Sequence, residues 1–293
     1  MAKTIARIKI EGVIEKENET YNQKWILENI ERLTEDKNNV ALMLYINSPG
    51  GAVYEADEVY VAVKKYKEKT KRPVYAYFAS LAASGGYYIG CSADKIIANR
   101  NTLTGSIGVI AGRFIDLSEP MKKYGIKAEI IHSGKNKTMG SIHEPVTEEQ
   151  RAIMQSISDE CYAQFTGIVA ESRKLELEKV KELADGRIYT ASQAKNNGLI
   201  DEIATFDQAV EMLKEKELGD KEFKAEVKKL EVKQKKSLMK FIKGASSLFC
   251  GRGNSAVIGA ADMVEQTLIS AVNSGAGSNV KFPAFLYEGG FWK

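Results

Sequence analysis

Histidine is nearly absent from this chain. Only His132 and His143 occur among 293 residues, and neither sits in a pattern that would complete a serine–histidine–acid triad. Cysteine is equally scarce. Cys91, Cys161 and Cys250 lie 70 and 89 residues apart, no C-x-x-C motif occurs, and an odd count provides no disulfide framework. The three read as buried or free thiols, and two histidines beside them leave no zinc site to expect. An excess of charge of one sign is also missing. Forty-two basic and 39 acidic residues leave a net charge of +3, which is no nucleic-acid footprint.

Long hydrophobic runs are missing as well. The segment Met1-Ala2-Lys3-Thr4 enters a strand-like pattern at once, without the regions of a signal peptide. Pro73 to Ala93 is 21 residues without a charge, but it holds three Gly, three Ser and a Pro. That composition fits a buried strand–turn–helix better than a membrane span. The chain as it stands reads as soluble and cytoplasmic; the alternative is membrane association through an N-terminal anchor missing from this sequence.

What is present is enough apolar material, 44% of the residues, for one large α/β domain or a domain with a tail. Residues 4–10 alternate as a strand, and Tyr21–Asp36 fits a helix through Trp25, Ile26, Ile30 and Leu33. Val40–Ile46 is continuously apolar, the mark of a strand covered on both faces. A turn, Asn47-Ser48-Pro49-Gly50-Gly51, leads to a helix over Val53–Lys69 with Ala56, Val59, Tyr60 and Val63 on one face. Val74–Phe78 is a second buried strand, leading to Ser84-Gly85-Gly86 and a short helix. Strands are expected at Lys95–Ala98, Ile107–Ala111 and Lys127–His132, with a helix over Leu117–Tyr124.

Thr147 with Gln150, and Thr190 with Gln193, form capping boxes. The first opens a long helix with Ile153, Ile157, Cys161, Phe165 and Ile168 on one side; the second opens a short helix stopping at Gly198. Alternating strands and helices predict a mainly parallel sheet with flanking helices. The expected division is a catalytic domain over residues 1–210 and an extension over 211–293. Positions 211–243 hold eleven lysines and seven acids, a solvated helix face or linker rather than a membrane surface. Residues 244–280 are Gly-, Ser- and Ala-rich. Gly251-Arg252-Gly253-Asn254-Ser255-Ala256 matches G-x-G-x-x-A, but no strand precedes it.

Two glycine turns in succession carry the chemistry. Each follows a buried strand and precedes a helix, so each exposes backbone N–H groups at the carboxyl edge of a parallel sheet, where ligands bind. Amides from the Gly50-Gly51 turn and from Gly85 can converge as an oxyanion hole, and Ser84 lies beside them as a candidate nucleophile. A serine needs a base, and without histidine a neutral lysine can serve. Lys135 and Lys137 share strand parity in Ser133-Gly134-Lys135-Asn136-Lys137, so spacing leaves the choice between them open.

Four ordered segments bear a resemblance. Asn47–Gly51, Ala82-Ala83-Ser84-Gly85-Gly86-Tyr87-Tyr88, Leu103-Thr104-Gly105-Ser106-Ile107-Gly108-Val109 and Ala184-Asp185-Gly186-Arg187-Ile188-Tyr189 resemble successive motifs of the signal peptide peptidase A family, peptidase family S49, in its short bacterial form with a single catalytic domain. The likeness covers residues 4 to 205. It implies a crotonase/Clp-protease-like core and a serine endopeptidase that cleaves apolar peptides such as signal-peptide remnants. It also implies Ser84 as nucleophile, Lys137 as base with Lys135 a bystander, Ser106 contacting that lysine, and Gly51 with Gly85 as the oxyanion hole. No cofactor or metal is implied, and a homo-oligomeric ring or dome is. The alternatives are a phage-type head-maturation protease of the same family, an acyl-CoA hydratase or isomerase on the same core, and a catalytically inactive assembly protein.

One apolar segment remains, Phe282-Pro283-Ala284-Phe285-Leu286-Tyr287. Pro283 keeps it from becoming a helix. The plain expectation is that it packs on its own domain or a neighbour; the sharper one is that it enters a substrate groove as an extended strand.

Overall fold

The computed structural model describes residues 3–219, 225–231 and 284–286. In chain order the elements are β1 (Lys3–Glu11), α1 (Gln23–Glu35), β2 (Asn39–Ser48), β3 (Gly50–Ala52), α2 (Val53–Thr70), β4 (Val74–Ala83), α3 (Gly85–Gly90), β5 (Lys95–Ala98) and β6 (Leu103–Gly105). There follow α4 (Ser118–Lys123), α5 (Glu148–Arg173), α6 (Leu177–Leu183), β7 (Ile188–Thr190), α7 (Ala191–Asn196), β8 (Glu202–Ile203), α8 (Phe206–Glu217), β9 (Ala225–Leu230) and β10 (Ala284–Leu286).

The main sheet runs in the order β7-β6-β4-β2-β1-β9, with β5 beside the first half of β4 and β8 beside β5. Every pairing in it is parallel except that of β6 with β7. The class is α/β, a mainly parallel sheet with flanking helices, as the alternation of apolar segments predicts. Parallel strands need covered faces, and the side-chain period of two divides β2 between two cores. Leu42, Leu44 and Ile46 pack with Ile26, Ile30, Val59, Val63 and Phe165. Ala41 and Met43 face the other way, against Tyr75, Tyr77 and the α8 residues Ala209, Val210 and Leu213.

Helix ends follow local chemistry. Asn22 caps α1 by accepting from the Trp25 amide, and Thr147 and Thr190 complete the two capping boxes. A third box, Thr205 with Gln208, opens α8. The same T-x-x-Q spacing could have located it in the sequence. The 210 boundary therefore falls inside a helix, and β9 extends the sheet beside β1. The lysine-rich run beyond Glu231, the Gly- and Ser-rich stretch with Gly251–Ala256, and Cys250 lie outside the described residues.

Two expected strands are not formed. Ile107–Ala111 gives way to β6, four residues earlier, because Leu103–Gly105 is what reaches the open half of β4 opposite Leu81–Ala83. Lys127–His132 is irregular, with Ile131 94% exposed. An extended segment becomes a strand only where a neighbour pairs its N–H and C=O groups, and none of the described strands does so here. Helix α5 buries Gln150 in its first turn and Phe165, Thr166 and Val169 in its second half, while Ile157 stays exposed.

Candidate active site

Two strand ends build the site. At the end of β2, the Ser48 hydroxyl accepts the Gly50 N–H at 3.0 Å, which shapes the turn into β3. Ile14 then holds β3 from one side: its N–H donates to the Gly50 carbonyl, and its carbonyl accepts the Ala52 N–H, each at 2.8 Å. The approach is so close that a Cβ on Gly51 would sit 1.9 Å from the Ile14 oxygen, so only glycine fits. Neither Ser48 nor Ile14 was singled out from the sequence. Ser48 stands inside the Asn-Ser-Pro-Gly-Gly motif, whereas nothing near Ile14 signals its part.

At the end of β4 the chain turns sharply into α3. Ser84 takes φ 53° and ψ −118°, a conformation few non-glycine residues adopt. It is over-determined by its neighbours: the Ser84 N–H donates to the Gly105 carbonyl at 2.8 Å, and its carbonyl accepts the Tyr88 N–H at 2.9 Å. The side chain is fully buried, and Oγ has no hydrogen-bond partner among the described residues. Such an orphan hydroxyl costs about 1–3 kcal/mol in an ordinary core, which makes Ser84 a candidate for chemistry rather than for packing. A Cβ on Gly85 would lie 3.3 Å from the Gly51 nitrogen and 3.4 Å from the Gly50 Cα. The two glycine turns thus meet, bringing Ser84, Gly85 and the Gly51 amide together.

Ser106 is delivered by β6. Gly105, at φ +93°, precedes it, and a Cβ there would strike the Tyr189 ring at 2.7 Å and the Arg187 carbonyl at 2.9 Å. The Ser106 N–H donates to that Arg187 carbonyl at 2.8 Å. The Asp185 carboxylate grips the Arg187 side chain and accepts its backbone N–H at 3.0 Å. These bonds hold the Asp185 pKa down to about 2. The fourth motif, Asp185 to Tyr189, is therefore a buttress for the Ser106 turn.

The lysines stand apart. Lys135 is ion-paired with Glu149, whose pKa is lowered chiefly by that hydrogen bond. Lys137 is exposed, has no carboxylate partner among the described residues, and is not bonded to Ser84. The histidines make local contacts, His132 with the Gly134 carbonyl and His143 with the Met121 sulfur. Behind α3, the Tyr88 hydroxyl donates to Asp57 at 2.6 Å and accepts from Gln164 at 2.6 Å, tying α2, α3 and α5 together. Cys91 is a buried thiol outside any disulfide, and burial pushes its pKa up to about 12.

Known proteins share this arrangement of sequence. A protein of Enterococcus faecium provisionally named signal peptide peptidase SppA is 38% identical over 226 residues, which is 74% of this chain and 65% of that protein. A protein of Synechocystis sp., provisionally named a protease, is 40% identical over 207 residues, covering 71% of this chain and 72% of that one. The chain thus spans just under two thirds of the first relative and somewhat more of the second. Among solved structures, a point mutant of ClpP1 from Listeria monocytogenes superposes with a TM-score of 0.46 and 18% identity, over 69% of this chain and 92% of that one. The sequence model of Peptidase family S49 matches residues 66–219, a span that holds Ser84, Ser106, Lys137 and the Asp185–Tyr189 buttress. By that match and by the identity to the Synechocystis protein, the chain belongs to peptidase family S49.

Proposed function

We propose that this chain is a serine endopeptidase for extended apolar peptides, with Ser84 as nucleophile and Lys137 as base. The observation that carries the reading is the Ser84 hydroxyl, buried, without a partner among the described residues, and held in a strained turn against the Gly51 amide. Lys137 Nζ takes the Ser84 proton as Oγ adds to the substrate carbonyl. The Gly51 and Gly85 N–H groups receive the developing oxyanion, and the proton passes to the leaving amine. A water activated by Lys137 then releases the acyl group. Ser106, on the neighbouring strand end, steadies the lysine.

Lys137 has to be brought to Ser84, and assembly of several copies supplies the means. Ile110, Ile115, Tyr124, Ile126, Ile130 and Ile131 are all at least 41% exposed, and they lie in the stretch of chain that leads into Ser133–Lys137. Apolar surface concentrated in this way marks an interface between protein surfaces. Among the described residues no helix is long and apolar enough to cross a membrane.

The direct test is acylation with a serine-reactive peptidyl inhibitor, followed by mass mapping of the adduct. The adduct is expected on Ser84. An adduct on another serine, with Ser84 unmodified, would overturn the reading.

A further inference from the structure

The Ser84 turn stands at the head of a helix too short to hold itself. α3 spans six residues, Gly85–Gly90, and an isolated helix of that length is unstable in water. The direction in which Ser84 points is therefore set by what grips α3 from outside, and Tyr88 joins the two. Its backbone N–H donates to the Ser84 carbonyl at 2.9 Å. Its fully buried side chain stands between α2 and α5, the ring meeting Tyr60 edge-on at 5.5 Å between centroids and Phe165 at 5.1 Å. The hydroxyl donates to Asp57 Oδ1 of α2 at 2.6 Å, the length of a charge-assisted bond, and accepts from Gln164 Nε2 of α5 at 2.6 Å. Gln164 Nε2 also donates to the same Asp57 oxygen at 3.3 Å. Burial first, and the bond to Asp57 after it, raise the Tyr88 pKa above its ordinary value, so the hydroxyl keeps its proton.

We propose that Tyr88 is a positioning residue for the reaction: Asp57 and Gln164 fix its hydroxyl, and through it the aim of Ser84. This rests on the reading of Ser84 as nucleophile given above. A phenylalanine in its place keeps the ring packing and loses only the two bonds, which leaves α3 free to turn. A displacement of about 1 Å at a reacting group can cost about 10²-fold in rate, while the binding of a peptide is little affected. Gln164 brings α5 into the arrangement. In its first turn α5 carries Glu149, which pairs with Lys135 and accepts from Asn136 Nδ2 at 3.5 Å, beside Lys137. One helix thus touches the loop of the proposed base at its head and the anchor of the proposed nucleophile along its length. Its seating reaches Ser84 through Gln164.

The test is steady-state cleavage of a short apolar peptide by the full chain, at a temperature where circular dichroism shows every variant folded. Tyr88→Phe should lower kcat by about 10-fold to 100-fold and leave KM within about twofold of the parent. Gln164→Ala, at an exposed position, should lower kcat by about threefold to tenfold, the worth of one hydrogen bond. Asp57→Ala should match Tyr88→Phe. Asp57→Asn should recover most of that loss, because both bonds end on one oxygen, which an amide also supplies. Asp201→Asn removes a structural ion pair outside this network, and its kcat should stay at the parent value. Parental kcat in Tyr88→Phe or Gln164→Ala, a loss carried by KM instead, no recovery in Asp57→Asn, or an equal loss in Asp201→Asn would each overturn the proposal. Failure of the catalytic reading would appear elsewhere, as peptidase activity surviving Ser84→Ala.

Discussion

At the scale of single residues, this site is explained by what each group is denied. Ser84 Oγ is denied a partner among the described residues, and Gly51 is denied a side chain by the Ile14 carbonyl. Lys137 is denied a carboxylate among the described residues, whereas Lys135 is paired with Glu149. Ser84→Ala and Lys137→Ala should each lower kcat by about 10³-fold or more without shifting the melting temperature, because the proposed nucleophile and base would act as a unit. Lys135→Ala should retain activity, since it loses only an exposed ion pair. Steady-state peptide cleavage checks all three, and an active Lys137→Ala beside an inactive Lys135→Ala would reverse the assignment. Ser106→Ala should lower kcat by about 10-fold to 100-fold with KM little changed; an unchanged kcat would make Ser106 a packing residue only.

At the scale of elements, the strand ends are held by groups outside the sheet. Arg173 of α5 donates to Asp201 at 2.8 Å, and Asp201 also accepts the Ile96 N–H of β5 at 2.8 Å. Burial alone would raise the Asp201 pKa, but the bonds from Arg173 and Ile96 outweigh it and hold it below the usual carboxylate value. A carboxyl with a depressed folded pKa adds stability above its unfolded value of about 3.9, and that stability is lost as pH falls through the folded value. Asp201→Asn should therefore destabilise the fold by about 2–3 kcal/mol at neutral pH, because it leaves a largely buried guanidinium unpaired. Denaturant melts at pH 7 and pH 3 check this: the gap between variant and parent should shrink at the lower pH, and a constant gap would contradict it.

At the scale of the whole molecule, the sheet is covered on both faces but the chain is not covered everywhere. Ile131 is 94% exposed and Tyr124 74% exposed, so the segment leading to Lys137 presents apolar surface to water. Sedimentation of the parent should show a closed homo-oligomer. Ile131→Asp should weaken that assembly and lower activity together, without changing the secondary structure seen by circular dichroism. A fully active monomer at micromolar concentration would defeat the link between assembly and catalysis.

Most of the fold was legible in the amino-acid sequence because it is written in local terms. The apolar run of β2, the capping boxes at Thr147 and Thr190, and the glycine turns after β2 and β4 specify their elements without reference to distant residues. Ser84, Gly51 and Gly85 became candidates on local grounds too, from their residue types at the two turns. Only the tertiary structure could decide what depends on a partner. Lys127–His132 has the pattern of a strand and no described neighbour to pair with, so it stays irregular. α8 and β9 complete the sheet beyond the expected boundary because one face of the sheet and one edge of β1 needed cover. Ile14 closes on Gly51 from far upstream in the chain, and the Phe285 backbone faces it from far downstream. Hydrogen bonds between strand edges carry no residue code, and for that reason only the folded chain reveals them.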